Sequence, residues 1–295
     1  MHRPVQQAAG TWTILSLITW GTQYLDERGF EDARLNIELL LCHVLHLKRI
    51  DLYTNFDHPL RASELTEFKA ALRRRLTHEP LQYIIGETEF MGIPLHVDRS
   101  VLIPRPETEE LVQKALEWIR SLETSPVYVL DIGTGSGNIP IALERHSSNT
   151  HITSIDVSEE ALEVAARNIA QHNCSRTTLR RQDVFSELTP DKPWDVIIAN
   201  PPYVSVEEFA TLQPEVREFE PTIATTDAAD GLRFIRRICT LAAETLSGRG
   251  VLFMEVAYNQ GADARQIATE AGLVQVEISR DVAGNERMLQ GCRAA

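Results

Sequence analysis

The chain has 295 residues, 43% hydrophobic and 24% charged, a globular balance that excludes a disordered or fibrous protein. Its 42 acidic against 29 basic residues leave a net charge of −13, which disfavours a charge-driven grip on a phosphate backbone. No apolar run approaches the ~20 residues of a membrane span, and the start lacks the charged leader and cleavage site of a secretory signal. The four cysteines are scattered without a C-x-x-C pair, as expected of a reduced, cytoplasmic protein.

The first part of the chain reads as helices. An amphipathic stretch over Thr11–Arg28 stops at Gly29, a helix-ending residue. From Glu31 to Lys48, Ile37, Leu40, Leu41, Val44 and Leu45 recur at helical spacing. A third helix starts near Ser63, read as its N-cap, and carries Leu65, Phe68, Leu72 and Leu76 on one side. Pro80 ends the pattern.

A short β section follows. Ile93, Leu95 and Val97 alternate with polar or turn residues, and Val101–Ile103 come after a turn at Asp98–Ser100. Glu107–Arg120 is a helix with Pro106 near its first turn. From Val127 the rhythm becomes strand, turn, helix. Strands are expected at Val127–Leu130, Ile152–Ile155, Thr178–Arg181, Trp194–Ala199 and Val251–Val256. Helices are expected at Ile139–Glu144, Glu159–His172 and Gly231–Leu246. Such alternation implies an α/β fold, a mostly parallel sheet with helices on both faces. Val274–Ser279 and Glu286–Gln290 add a C-terminal antiparallel hairpin. The reading therefore divides the chain into a small helical domain (1–85), a β-hairpin linker (86–106) and an α/β domain (107–295). Up to residue 90 there are 10 basic and 12 acidic residues; the rest holds 19 and 30, so the acid is concentrated in the α/β part.

Asp131-Ile-Gly-Thr-Gly-Ser-Gly137 follows a strand and opens a helix. Glycines at 133, 135 and 137 let the backbone turn sharply and approach a ligand closely. A dinucleotide fold would have G-x-G-x-x-G; here the third glycine comes one place early, a spacing that resembles the S-adenosylmethionine loop of class I methyltransferases. Asp156 ends the next strand, where a carboxylate can accept both hydroxyls of a ribose; alone it suits NAD as well. Asp183 and Val184 close the third strand, where an adenine edge would lie. Taken singly, the glycines also make a tight turn and the aspartates also cap strands.

The strand Val196–Ala199 ends in Asn200-Pro201-Pro202-Tyr203, at the sheet edge where open α/β folds bind ligands. A planar –NH₂ presents two hydrogens. The Asn200 Oδ1 and the Pro201 carbonyl can each accept one, while Pro202 stiffens the turn and the Tyr203 ring offers a flat face. That arrangement orients an amide or amino nitrogen toward a sulfonium methyl.

The glycine loop and the Asn-Pro-Pro-Tyr motif together resemble methyltransferases acting on amide or exocyclic amino nitrogens. Gly86-Glu-Thr-Glu-Phe90-Met-Gly, Leu102-Ile-Pro-Arg-Pro-Glu-Thr-Glu109, Arg34-Leu-x-x-Glu38-Leu-Leu-Leu and Pro80-Leu-Gln-Tyr83-Ile-Ile-Gly86 narrow the resemblance to the PrmC/HemK family. Phe219-Glu-Pro221, Asp230-Gly231-Leu232 and Gly284-Asn-Glu-Arg287 extend it to the C-terminus. The resemblance implies a class I S-adenosylmethionine-dependent methyltransferase fold, Rossmann-like, behind a helical substrate-recognition domain. It implies methylation of the glutamine in the Gly-Gly-Gln motif of class 1 peptide-chain release factors, with S-adenosyl-L-methionine as methyl donor. It gives Asn200, Pro201 and Tyr203 catalytic roles, with Pro202 beside them at the substrate. It gives Gly133, Thr134, Gly135, Ser136, Gly137, Asp156, Asp183, Val184, Asn200, Phe90, Arg105 and Thr108 to the cofactor. Arg105 reads equally well as a solvated arginine. Two positions depart from the family: Val184 where some members carry an aromatic, and Asn138 where many have a small apolar residue, which the sequence does not explain.

Other features read as structural. His43 and His46 lie three apart on a helix but lack the companions of a metal site, so no metal is expected. Arg73-Arg74-Arg75 reads first as a solvated helix face, second as a contact for an acidic partner. Ser136 is not in a G-x-S-x-G elbow. The competing functions are a nucleic-acid amino-methyltransferase, which would want a basic surface, and a non-catalytic nucleotide-binding module, which would not need Asn-Pro-Pro-Tyr. A monomer without nucleic-acid or membrane partners is expected.

Overall fold

The structure, a computed structural model, describes residues 11–122 and 125–294. The chain forms two compact units, residues 1–85 and 86–295. The first contains α1 (Ile14–Asp26), α2 (Ala33–Leu45), α3 (Arg49–Thr54), α4 (Ala62–Arg75) and α5 (Leu81–Ile85). Its core is the apolar stripe of each helix: Leu17, Ile18 and Leu25, then Ile37, Leu40 and Leu41, with Phe68 and Leu72. Each such side chain, fully buried, contributes roughly 1.5–3 kcal/mol. Thr13 caps α1 through a capping box with Ser16. Arg61, not Ser63, stands at the N-cap of α4, and the Glu64 carboxylate accepts its backbone N–H.

The arginine triplet is a solvated face only in part: Arg73 and Arg74 are exposed, and Arg75 is not. Arg75 is buried and donates to Asn36 Oδ1 at 2.6 Å. Arg74 grips the buried Glu79 carboxylate through two bonds of 2.9 Å and reaches the Tyr83 carbonyl. Arg73 is exposed, and Arg74 stays exposed while its guanidinium holds Glu79. A charge run on a terminal helical turn is drawn inward here because a buried acid waits five residues on.

The second unit opens with a hairpin, β1 (Glu87–Phe90) and β2 (Ile93–His96), closed by Met91 and Gly92, both at positive φ. That is the backbone a two-residue hairpin turn requires. The partner of β2 is thus the segment before it. Val101–Ile103, expected as a strand, is irregular, with Val101 and Ile103 buried; Pro104, which follows, lacks the N–H that a strand continuing there would donate.

After the hairpin come α6 (Pro106–Ser121), β3 (Val127–Ile132), α7 (Asn138–His146), β4 (Thr150–Asp156), α8 (Glu159–Gln171), β5 (Thr177–Arg181) and β6 (Trp194–Ala199). Short turns α9 (Val206–Phe209), α10 (Pro214–Phe219) and α11 (Thr222–Thr225) lead to α12 (Arg233–Thr245), β7 (Leu246–Glu255), α13 (Gly261–Glu270), β8 (Leu273–Arg280) and β9 (Glu286–Arg293). The seven-stranded sheet has the order β5-β4-β3-β6-β7-β9-β8. The first five strands are parallel; β9 inserts antiparallel between β7 and β8. Successive residues of each central strand face opposite sides. Val129, Ile198 and Phe253 pack with Leu111, Ile119 and Ile141 of α6 and α7. Leu130, Ile197 and Leu252 pack with Ile235, Leu241 and Ala264 of α12 and α13. A strand buried on both faces is almost continuously apolar, which is why Trp194–Ala199, apolar but for the half-buried Asp195, is legible as a strand without alternation. The strand order reverses between β3 and β6, and a crevice opens there at their carboxyl ends.

Candidate functional site

Two loops meet in that crevice. The first is the turn after β3. Gly133 and Gly135 adopt φ of +76° and +51°, and a Cβ on either would have only backbone carbonyls within 4 Å, that of Asn200 among them. The glycines thus keep the loop bare and open toward the second motif. Gly133, Thr134, Gly135 and Ser136 line a cleft of about 510 Å³ together with Asp156, Asp183, Val184, Asn200, Pro201 and Pro202, within the usual size of a small-molecule site. Gly137 does not: it is the left-handed N-cap of α7, and a Cβ there would touch Ala165 of α8 at 3.4 Å. Its role is helix packing.

Asp156 Oδ2 accepts the Gly135 N–H at 2.9 Å, and Oδ1 accepts that of Ser158 at 3.0 Å. Each oxygen retains a lone pair for a ligand hydroxyl. Burial raises the pKa of this carboxyl, while the backbone N–H groups pull the other way. Asp183 accepts the Phe185 N–H and so fixes the turn where Val184 and Phe185 meet the cleft. Beneath the loop, Asp131 is fully buried, and its desolvation pushes the carboxyl up to about 7, against the pull of the Thr134 and Ser154 hydroxyls.

The second loop is Asn200-Pro201-Pro202-Tyr203. Asn200 Nδ2 donates to Thr108 Oγ1 at 2.9 Å. Thr108 in turn donates to Glu255 Oε2 at 2.7 Å, and the Tyr203 hydroxyl donates to Glu255 Oε1 at 3.1 Å. The loop's far end is pinned by buried Gln260, which donates to the carbonyls of Tyr203 and Gly231. Gly231, at φ +82°, leaves room for this: a Cβ would come within 2.6 Å of the Tyr203 carbonyl.

Besides Gly137, three residues assigned to the cofactor by resemblance stand elsewhere or do something else. Phe90 is 1% exposed, its ring in the core with Ile93 and Leu95; an apolar ring at the end of a hairpin strand goes to the apolar side. Arg105 forks onto the buried Glu220 at 2.7 and 2.9 Å and is not part of the cleft lining. Thr108 lines the cleft, yet its hydroxyl is spent between Asn200 and Glu255. Sequence reading missed Glu255 and Glu220. Glu255 left a trace as the single acid at the end of the apolar run Val251–Met254; Glu220 lay within a quoted motif without a partner.

Among the described residues no cluster of His, Cys, Asp and Glu could hold a metal, and no helix is long and apolar enough to cross a membrane.

Residues 16–86 match the PrmC N-terminal domain and residues 116–215 the methyltransferase small domain. The chain is 38% identical to the release factor glutamine methyltransferase of Rhodopirellula baltica, over 94% of this chain and 95% of that protein. It is 39% identical to that of Geobacter sulfurreducens, over 95% and 96%. In structure it is similar to a 16S rRNA N2 methyltransferase from T. thermophilus solved with AdoMet and guanosine. The TM-score is 0.50, with 15% identity over 70% of this chain and 49% of that one, a likeness of fold alone.

Proposed function

The chain belongs to the release factor glutamine methyltransferase family, and from that premise we propose that it methylates the side-chain amide nitrogen of the glutamine in the Gly-Gly-Gln motif of class 1 peptide-chain release factors, with S-adenosyl-L-methionine as donor. The observation that carries this reading is the fixed Asn200 amide. Its nitrogen is engaged by Thr108, so its oxygen is the side that remains for a substrate –NH₂. The bare glycine loop and Asp156 support the cofactor: the glycines admit a bulky ligand against the backbone, and the carboxylate suits vicinal ribose hydroxyls. When bound, the cofactor supplies an electrophilic methyl on a sulfonium.

An amide nitrogen is a weak nucleophile because its lone pair is delocalised. Asn200 Oδ1 and the Pro201 carbonyl accept its two hydrogens and turn the lone pair toward the methyl. With the donor held by the glycine loop and Asp156, the nitrogen–carbon bond would form as the donor's carbon–sulfur bond broke, and the acidified N–H would then give its proton to water. No His or Cys adjoins Asn200 in sequence, so alignment takes the place of a strong base, an effect worth ~7–11 kcal/mol when geometry is near ideal. The reading implies a cytoplasmic monomer whose helical unit recognises the protein substrate and which needs no nucleic acid.

The test is purified protein with methyl-labelled S-adenosylmethionine, offered a release factor, the same factor with the motif glutamine changed to alanine, and DNA. Label in the unaltered release factor alone is expected. Label in DNA, or equal label in the glutamine-less factor, overturns the reading.

A further inference from the structure

Glu255 is 1% exposed at the end of β7 and forms no ion pair among the described residues. Burial raises the pKa of this carboxyl, while the Thr108 and Tyr203 hydroxyls and the Arg287 charge pull it back toward the ionised form; among the described residues its hydrogen-bond donors are those two neutral hydroxyls. Both belong to segments that frame the reacting side of the cleft. Stability alone would be served as well by an apolar residue on this strand, so the acid asks for another explanation.

Hydrogen-bond polarity supplies one. In its ionised form, which the two hydroxyls favour, the Glu255 carboxylate can only accept. The single proton of Thr108 therefore goes to Glu255, and the Thr108 oxygen is left able only to accept. The group of Asn200 that can donate to it is Nδ2, at 2.9 Å. The amide cannot turn over without setting two acceptors, Oδ1 and Oγ1, against each other. We propose that Glu255 and Thr108 are positioning residues that lock the Asn200 side chain with its oxygen toward the substrate nitrogen. Flipped, Asn200 would oppose a substrate –NH₂ with its own –NH₂, and the lone pair would lose its alignment. Neither residue touches the reacting atoms; they act through Asn200. The same carboxylate also holds the Tyr203 hydroxyl, so one buried charge sets both ends of the Asn-Pro-Pro-Tyr turn.

This inference rests on the methyltransferase reading, and its test separates the two. Wild-type protein must first label the release factor; if it does not, the function has failed and not the positioning. With an active wild type, Thr108→Val removes the hydroxyl at constant shape and Thr108→Ser restores it. Expected for Thr108→Val is a fall in kcat of about 10- to 100-fold, with the Kd for S-adenosylmethionine within about twofold of wild type by calorimetry. Thr108→Ser should return kcat to within about threefold. Glu255→Gln, whose amide can donate as well as accept, should lower kcat by about fivefold or more alone, and by less than about twofold in the Thr108→Val background. Circular dichroism and melting temperature check that each variant is folded. Unchanged kcat in Thr108→Val overturns the proposal, as does a loss of cofactor affinity that matches the loss of kcat, which would return Thr108 to the cofactor. Additive effects of the two substitutions remove Glu255 from the relay.

Discussion

The two loops of the cleft are built on opposite principles. The glycine loop works by what it lacks. Its residues are neighbours in sequence, its shape comes from backbone angles that side chains disfavour, and the ligand space is where Cβ atoms would be. The Asn-Pro-Pro-Tyr loop works by side chains held from a distance. Asn200 is held by Thr108 and Tyr203 by Glu255, each far away in sequence and on a different element. A binding cradle can be local because it needs only a shape. A reacting group needs one orientation, and that takes partners from outside its own turn.

Four substitutions would break or sharpen this contrast, the first most strongly. Asn200→Ala removes the acceptor and should lower kcat about 10²–10³-fold, comparable to losing one preorganised polar contact in other active sites. Equilibrium dialysis should find S-adenosylmethionine bound nearly as well as before; near-normal turnover would sink the mechanism. Asp156→Ala is the mirror case, with cofactor affinity falling about 10-fold or more for a lost charged hydrogen-bond partner and kcat at saturating cofactor largely kept. Unchanged affinity would remove the ribose assignment. Gly231→Ala tests how far the second loop depends on a remote backbone. The added Cβ collides with the Tyr203 carbonyl in a left-handed backbone, at a cost of about 1–3 kcal/mol read from chemical denaturation, and kcat should fall more than cofactor affinity. Equal loss in both would mean the two loops are not separable.

The smallest effect is a pH dependence under the glycine loop. Asp131 has its carboxyl raised from the ordinary range to about 7 by burial. The folded state therefore holds a proton that the unfolded chain has already released. The stabilisation is complete below about pH 4, is lost as pH rises through about 7, and levels off above that. Asp131→Asn cannot titrate. The melting temperature of wild type minus that of Asp131→Asn should decline from pH 5 to pH 8; a flat difference would mean the acid is charged throughout.

How much of this was legible in the sequence follows the same division. The glycine loop could be read because glycine at three alternate positions after a strand has a backbone meaning that survives without knowing the fold. Asp156 could be placed because strand–turn–helix fixes where the next strand ends. Thr108 could be tied to the site but not to its partner: nothing in Pro-Glu-Thr-Glu says that its hydroxyl meets a β7 carboxylate. Phe90 and Arg105 were assigned by resemblance to the cofactor, yet Phe90 is drawn to the core by its apolar ring and Arg105 to Glu220 by charge. Arg74 and Arg75 looked solvated because a charge run ordinarily is, until Glu79 and Asn36 gave them buried partners. The Glu87–Phe90 strand escaped notice because its turn uses Met91 at positive φ, a residue that does not advertise a turn.

The sequence by itself determined the helical start, the α/β rhythm, the late hairpin, and the two motifs that meet at the sheet's reversal point. These are carried by periodicity and by residues with unusual backbones, both local properties. Only the tertiary structure decided which way Asn200 faces, what holds it, and which of the residues named by resemblance reach the cleft. Those depend on hydrogen bonds between segments the chain order keeps apart, and a donor's partner is chosen by the fold and not by its neighbours in sequence.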